Sequence, residues 1–106
     1  MNNNTTFDMS IYNTPISVTY TDAELQNLVE EYITQQKSEF TLKGVCSFIL
    51  YWAVEDHRVV CPEGGLCEAN ALQPEDQRRI KSILHDIVTD GRIVALGADS
   101  FKKVTV

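Results

Sequence analysis

Ten consecutive residues, Val45 to Val54 (VCSFILYWAV), constrain this chain more than any other stretch. Nine are apolar or aromatic, only Ser47 interrupts, and the run holds the single tryptophan, Trp52. It is too short to cross a bilayer, which takes about 20 residues in a helix. Lys43 on one side and Glu55, Asp56, His57 and Arg58 on the other bound it closely. Periodicity alone does not separate a buried strand from a buried helix, but length does. From Leu42 to His57 no proline intervenes, which gives about four helical turns. Thr41 is placed to cap the first of them with its hydroxyl. The run therefore reads as a core helix with Trp52 inside. Val45, Phe48, Ile49 and Trp52 form one stripe, and Cys46, Leu50, Tyr51, Ala53 and Val54 fill much of the rest. A helix apolar on nearly all sides must be covered on most of them.

The segments around it are easier to place. Thr21-Asp22-Ala23-Glu24 forms a capping box. Leu25, Leu28, Val29, Tyr32 and Ile33 follow at the spacing of one helical face, predicting a first helix over roughly 22–37. Ser38 to Thr41 is a short link in which one or two residues of strand are expected. After the second helix, residues 58–72 (RVVCPEGGLCEANAL) form an elaborated loop, broken by Pro62, Gly64 and Gly65. Pro74 suits a first helical position, and Glu75 and Asp76 suit the first turn of a helix dipole. Ile80, Ile83, Leu84, Ile87 and Val88 then predict a third helix over 74–90, stopped by Gly91. Residues 92–96 and 101–106 read as a β-hairpin around Gly97-Ala98-Asp99-Ser100. At the N-terminal end, Ile16, Val18 and Tyr20 alternate with Ser17 and Thr19 as in a half-buried strand. Pro15 argues against a central strand position there. Residues 1–20 are thus expected to be an arm, partly mobile, that packs on the domain or on a partner. The fold class is α+β: mostly α with a small β-hairpin.

This order of helix, extended link, helix, helix and hairpin, with the junction Val88-Thr89-Asp90-Gly91-Arg92-Ile93, resembles a winged-helix domain across residues 21–106. The resemblance implies a three-helix core with the C-terminal hairpin as its wing. It also implies a possible double-stranded DNA site. In DNA-binding members the third helix enters the major groove, which here brings forward Arg78, Lys81, Ser82, His85 and Thr89, with Arg79 at the edge. Lys102 and Lys103 of the wing would meet phosphates.

Charge favours a different partner. The net charge is −6; residues 1–72 carry three basic and ten acidic side chains, and residues 73–106 carry six and five. Phosphate affinity comes from Lys and Arg, whereas Glu75, Asp76, Asp86 and Asp90 surround the presumed reading face. The long loop also replaces the 3–4-residue turn usual between the two helices of a DNA-reading unit. A protein-interaction or regulatory module is therefore the preferred expectation, with another protein or a second copy of the chain as partner. Its candidate contacts are Tyr51 and Val54 on the second helix and Pro62, Leu66 and Cys67 in the loop. A DNA-binding transcription regulator is the alternative.

Catalysis is not expected. Cys67 with His57 or His85 is the single nucleophile–base set available, and no motif surrounds it. His57, Cys61 and Cys67 are zinc-ligand types at spacings wider than structural zinc prefers, so no metal, cofactor or small-molecule substrate is expected, and free thiols are expected ahead of a Cys61–Cys67 disulfide. The first ten residues show neither a basic nor an apolar leader region. With three cysteines and no leader, a cytoplasmic setting with reduced thiols follows as an expectation.

Overall fold

The structure, a computed structural model, describes residues 15–60 and 71–104. In chain order its elements are β1 (Ser17–Val18), α1 (Asp22–Gln35), β2 (Glu39–Thr41), α2 (Leu42–Glu55), β3 (Val59–Val60), α3 (Pro74–Thr89), β4 (Ile93–Ala95) and β5 (Ser100–Lys103). This is an α+β fold, with three helices and small antiparallel sheets among the described residues.

Each helix starts for a reason visible in its first turn. Thr21 Oγ1 accepts the Glu24 amide at 3.2 Å, and Glu24 Oε1 accepts the Thr21 amide at 2.8 Å. Thr41 both ends β2 and caps α2, its Oγ1 accepting the Gly44 amide at 3.1 Å. Pro74 occupies the start of α3, where its missing N–H leaves no helical bond unmade. The ends of α2 and α3 also match each other. At α3 the amides of Gly91 and Arg92 return to the carbonyls of Val88 and Ile87, with Gly91 at φ +82°. At α2 the amides of His57 and Arg58 return to Val54 and Ala53, with His57 at φ +57°. Both are the double-bonded stop that a left-handed residue makes possible. The second uses a histidine, which is strained there because its Cβ crowds the backbone.

The link after α1 extends further than expected: β2 is a three-residue strand pairing antiparallel with β5, and β5 pairs with β4. The order is β2-β5-β4. Phe40 and Phe101 face each other in this sheet, their rings stacked at 5.6 Å, and close one end of the core. Ile80, Ile83, Leu84 and Ile87 of α3 and Leu25, Val29 and Ile33 of α1 fill its centre.

One expectation fails in the helix that most constrained the sequence. Trp52 is not a core residue; it is 37% exposed. The buried stripe of α2 is Val45, Ile49, Leu50 and Ala53. At 100° per residue, Phe48 and Trp52 lie on the flank of that stripe, Phe48 against Tyr32 of α1 (ring centroids 5.3 Å apart) and Trp52 against Phe48. Because the run is apolar all round, its pattern never specified which side faces inward.

The described end of the N-terminal arm, residues 15–20, packs on the domain. Ser17 and Val18 pair with Val60 and Val59 on one side, and Ile16 bridges Leu72 on the other. Pro15 lies just before this segment, so its lack of an N–H interrupts nothing. Ile16, Val18 and Tyr20 are buried. The long connection from α2 to α3 is therefore pinned at both of its ends against one N-terminal strand. Pro62, Leu66 and Cys67, together with Cys61, lie outside the described residues.

Side chains lock that arrangement. Asp76, 6% exposed in the first turn of α3, accepts the Val18 amide at 3.0 Å and pairs with Arg79 Nη1 at 2.9 Å. Arg79 also donates to the Tyr20 carbonyl at 2.8 Å and to Asp22 at 2.9 Å. On the other side Arg58 donates to the Thr19 carbonyl and hydroxyl, binds Glu24 at 2.8 Å, and lies over the Tyr20 ring at 4.8 Å. Removing one partner of a buried charged group leaves the others desolvated and unmatched. Asp76→Ala is thus expected to lower stability by about 3 kcal/mol. Equilibrium urea unfolding measures this, and a loss within experimental error would show that the clamp is dispensable.

Candidate functional site

The described residues of α2 leave one side uncovered. Tyr51 is 59% exposed and touches the partly exposed Trp52, and Val54, 38% exposed, lies on the other side of Tyr51. Leu50 and Ala53, on the adjoining side, are buried, so only part of the surplus apolar surface found in the sequence is covered within the described residues. The exposed rings are held in fixed relation. Tyr51 and Trp52 meet edge to face at 5.4 Å, Trp52 meets Phe48 at 6.5 Å, and Phe48 meets Tyr32 at 5.3 Å. Tyr32 in turn meets Phe40 at 6.0 Å. The surface rings thus rest on a row of aromatic contacts that runs back to the buried sheet, and such pairs add about 0.5–1.5 kcal/mol each beyond area burial. Gly44 permits the close approach of α1, because any Cβ there would collide with the Tyr32 hydroxyl. Tyr51 and Val54 are exposed, and Trp52 and Phe48, expected in the inward stripe, lie at its flank with Trp52 exposed and Phe48 partly buried.

The third helix presents Arg78, Lys81, Ser82, His85 and Thr89 together on its exposed side. Their chemistry is partly spent. Lys81 pairs with Asp99 at 3.3 Å, and Thr89 donates to the His85 carbonyl at 3.1 Å. Lys103 Nζ donates to the Gln36 carbonyl at 2.9 Å, while Lys102 is exposed beside Glu39 and Val94 in the strand ladder. Arg79 is occupied in the N-terminal clamp, and Arg92 forms a bidentate pair with Glu30, both contacts 2.7 Å. Of the six basic side chains beyond residue 72, only Arg78 and Lys102 make no ion pair or side-chain hydrogen bond among the described residues.

A cavity of about 440 Å³ opens between the start of α2, the start of α3 and the hairpin tip. Leu42, Leu50 and Leu72 form its apolar part, with Cys46, Gln77 and Asp99 at its sides. Burial, with the Asp99 carboxylate adding to it, pushes the Cys46 thiol up to about 11. The thiol is therefore protonated at neutral pH and a poor nucleophile. Burial and a hydrogen bond to Asp56 likewise push the Tyr20 hydroxyl up to about 12. Among the described residues no three His, Cys, Asp or Glu side chains are grouped to hold a metal ion, and no helix is long and apolar enough to cross a membrane.

Comparison with known proteins finds no matching family profile, curated protein or solved structure.

Two depressed carboxyls tie stability to pH. Hydrogen bonds from Arg58 and the Thr21 amide pull Glu24 from 4.5 to about 2, and Arg92 lowers Glu30. Both groups are charged in the folded and unfolded chain at neutral pH, and there their contribution is complete. As pH falls below 4.5 the unfolded chain binds protons first, so stability is lost progressively towards pH 2. Glu24→Gln is expected to flatten that part of the profile, read from urea midpoints between pH 6 and pH 2 (roughly the range over which linkage acts). An unchanged slope would mean that the Arg58–Glu24 pair does not bear on folding.

Proposed function

We propose that this protein is a non-enzymatic, winged-helix-like binding module of the cytoplasm that engages another protein through the outward face of α2. The observation that carries this reading is the exposed Tyr51–Trp52–Val54 surface, anchored on rings that cannot easily move aside. Fully burying one large apolar side chain is worth about 1.5–3 kcal/mol. Tyrosine and tryptophan in such settings dominate binding energy at protein interfaces. The winged-helix part of the proposal is supported by the sequence of elements from α1 to β5 and by the antiparallel order β2-β5-β4. The internal use of most C-terminal cations supports a protein partner over nucleic acid.

The DNA reading keeps one favourable observation, the shared exposed side of Arg78, Ser82 and His85 on α3. The two readings part under a single comparison. Tyr51→Ala/Val54→Ala should abolish capture of a specific protein partner, a loss of at least about 30-fold in affinity for a hot-spot pair. Arg78→Ala/Lys102→Ala should leave capture unchanged. Neither protein should bind random duplex DNA in a low-salt fluorescence assay. Duplex binding that weakens steeply with salt and disappears in Arg78→Ala/Lys102→Ala would replace the protein-binding reading with the DNA one.

A further inference from the structure

We infer that the partner segment is a basic amphipathic helix lying along α1 and α2, its apolar side on Phe48, Trp52 and Tyr51 and its lysines or arginines against Glu31 and Glu55. This rests on the reading that α2 binds a protein through its outward face, and it adds the chemistry of what is bound.

The two helices run antiparallel. Tyr32, late in α1, sits on Phe48 and beside Gly44, early in α2, while Glu24, early in α1, holds Arg58, just past the end of α2. Trp52 consequently lies opposite the middle of α1. The half-buried Leu28 and Tyr32 supply the other side of the same apolar strip. A strip between two antiparallel helices suits a third helix, whose side-chain ridges seat between theirs.

Charge selects the sign of that helix. Glu31 lies about 60° outside Leu28 on α1 and borders the strip there, while Glu55, one turn beyond Tyr51 and two beyond Phe48, closes its end at the C-terminus of α2. Both are exposed, and neither makes an ion pair among the described residues. The last turn of α2 contains no basic residue, so the negative end of its dipole adds to Glu55 rather than being offset. Arg58, the nearby cation, is held by Glu24. An apolar strip between uncompensated acids repels a second copy of itself, which would set Glu31 and Glu55 against their own equivalents. It attracts a helix with apolar anchors and flanking cations.

The full chain can be tested with two synthetic 14-residue peptides sharing one amphipathic leucine pattern, one with lysine and one with glutamate at the polar positions (a length of about four turns). Trp52 fluorescence reports binding. The lysine peptide is expected to bind saturably and the glutamate peptide not at all. Tyr51→Ala, which leaves the net charge untouched, should weaken the lysine peptide at least tenfold; retention of affinity would reduce the contact to bulk attraction and overturn the inference. Glu31→Lys/Glu55→Lys, with folding checked by circular dichroism, should weaken the lysine peptide at least tenfold and admit the glutamate one. If Tyr51→Ala weakens both peptides equally and the charge reversal changes nothing, the basic-helix inference falls while the apolar binding face stands. If neither peptide binds, and Tyr51→Ala/Val54→Ala leaves partner capture intact, both fall.

Discussion

A buried carboxylate, Asp76, joins parts of the chain that lie 58 residues apart by accepting the backbone amide of Val18 while held by Arg79. The arrangement around it decides what the rest of the molecule presents. With β1 stitched to β3 on one side and Ile16 bridged to Leu72 on the other, the exit of α2 and the entry of α3 are fixed against one strand. The strand adds to the packing of the three helices around one core, and Arg58 and Arg79 extend the hold to Thr19, Tyr20 and the first turn of α1.

That use of charge has a consequence at the surface. Arg58, Arg79, Arg92, Lys81 and Lys103 are all engaged within the domain. A chain of net charge −6 is left with few cations to offer a polyanion. Meanwhile the core needs only one stripe and one flank of α2, and its remaining rings face outward. On the third helix and hairpin, Arg78 and Lys102 make no ion pair among the described residues, while the second helix carries the exposed rings of Tyr51 and Trp52.

Much of this was legible in residue order. Thr21 and Glu24 identify a helix start because each satisfies the other's amide locally, and Gly91 identifies a stop because glycine tolerates a left-handed backbone. The β5 pairing of Glu39–Thr41 was visible only as a hint, since a three-residue strand is defined by its partner. His57 carries no stop signal in sequence, yet it ends α2 as Gly91 ends α3, because the chain must turn there to reach β3. Asp76 looked like an ordinary first-turn acid; its tie to Val18 is a long-range bond that no local pattern encodes. An almost wholly apolar run has no direction, so residue order alone does not show that Trp52 faces outward. Tyr51 and Val54 are exposed because a three-helix core has no room for every apolar side chain in Val45–Val54.

On the reading proposed above, the surplus apolar surface of α2 is presented to a partner. Trp52 is the single tryptophan, so acrylamide quenching of its fluorescence in the native full-length protein reports on that face alone. Ready quenching of the native protein, below that of the urea-unfolded chain because the indole is 37% exposed, and falling further when a partner is bound, is the expected result. A native Trp52 shielded from acrylamide in the absence of any partner would contradict it.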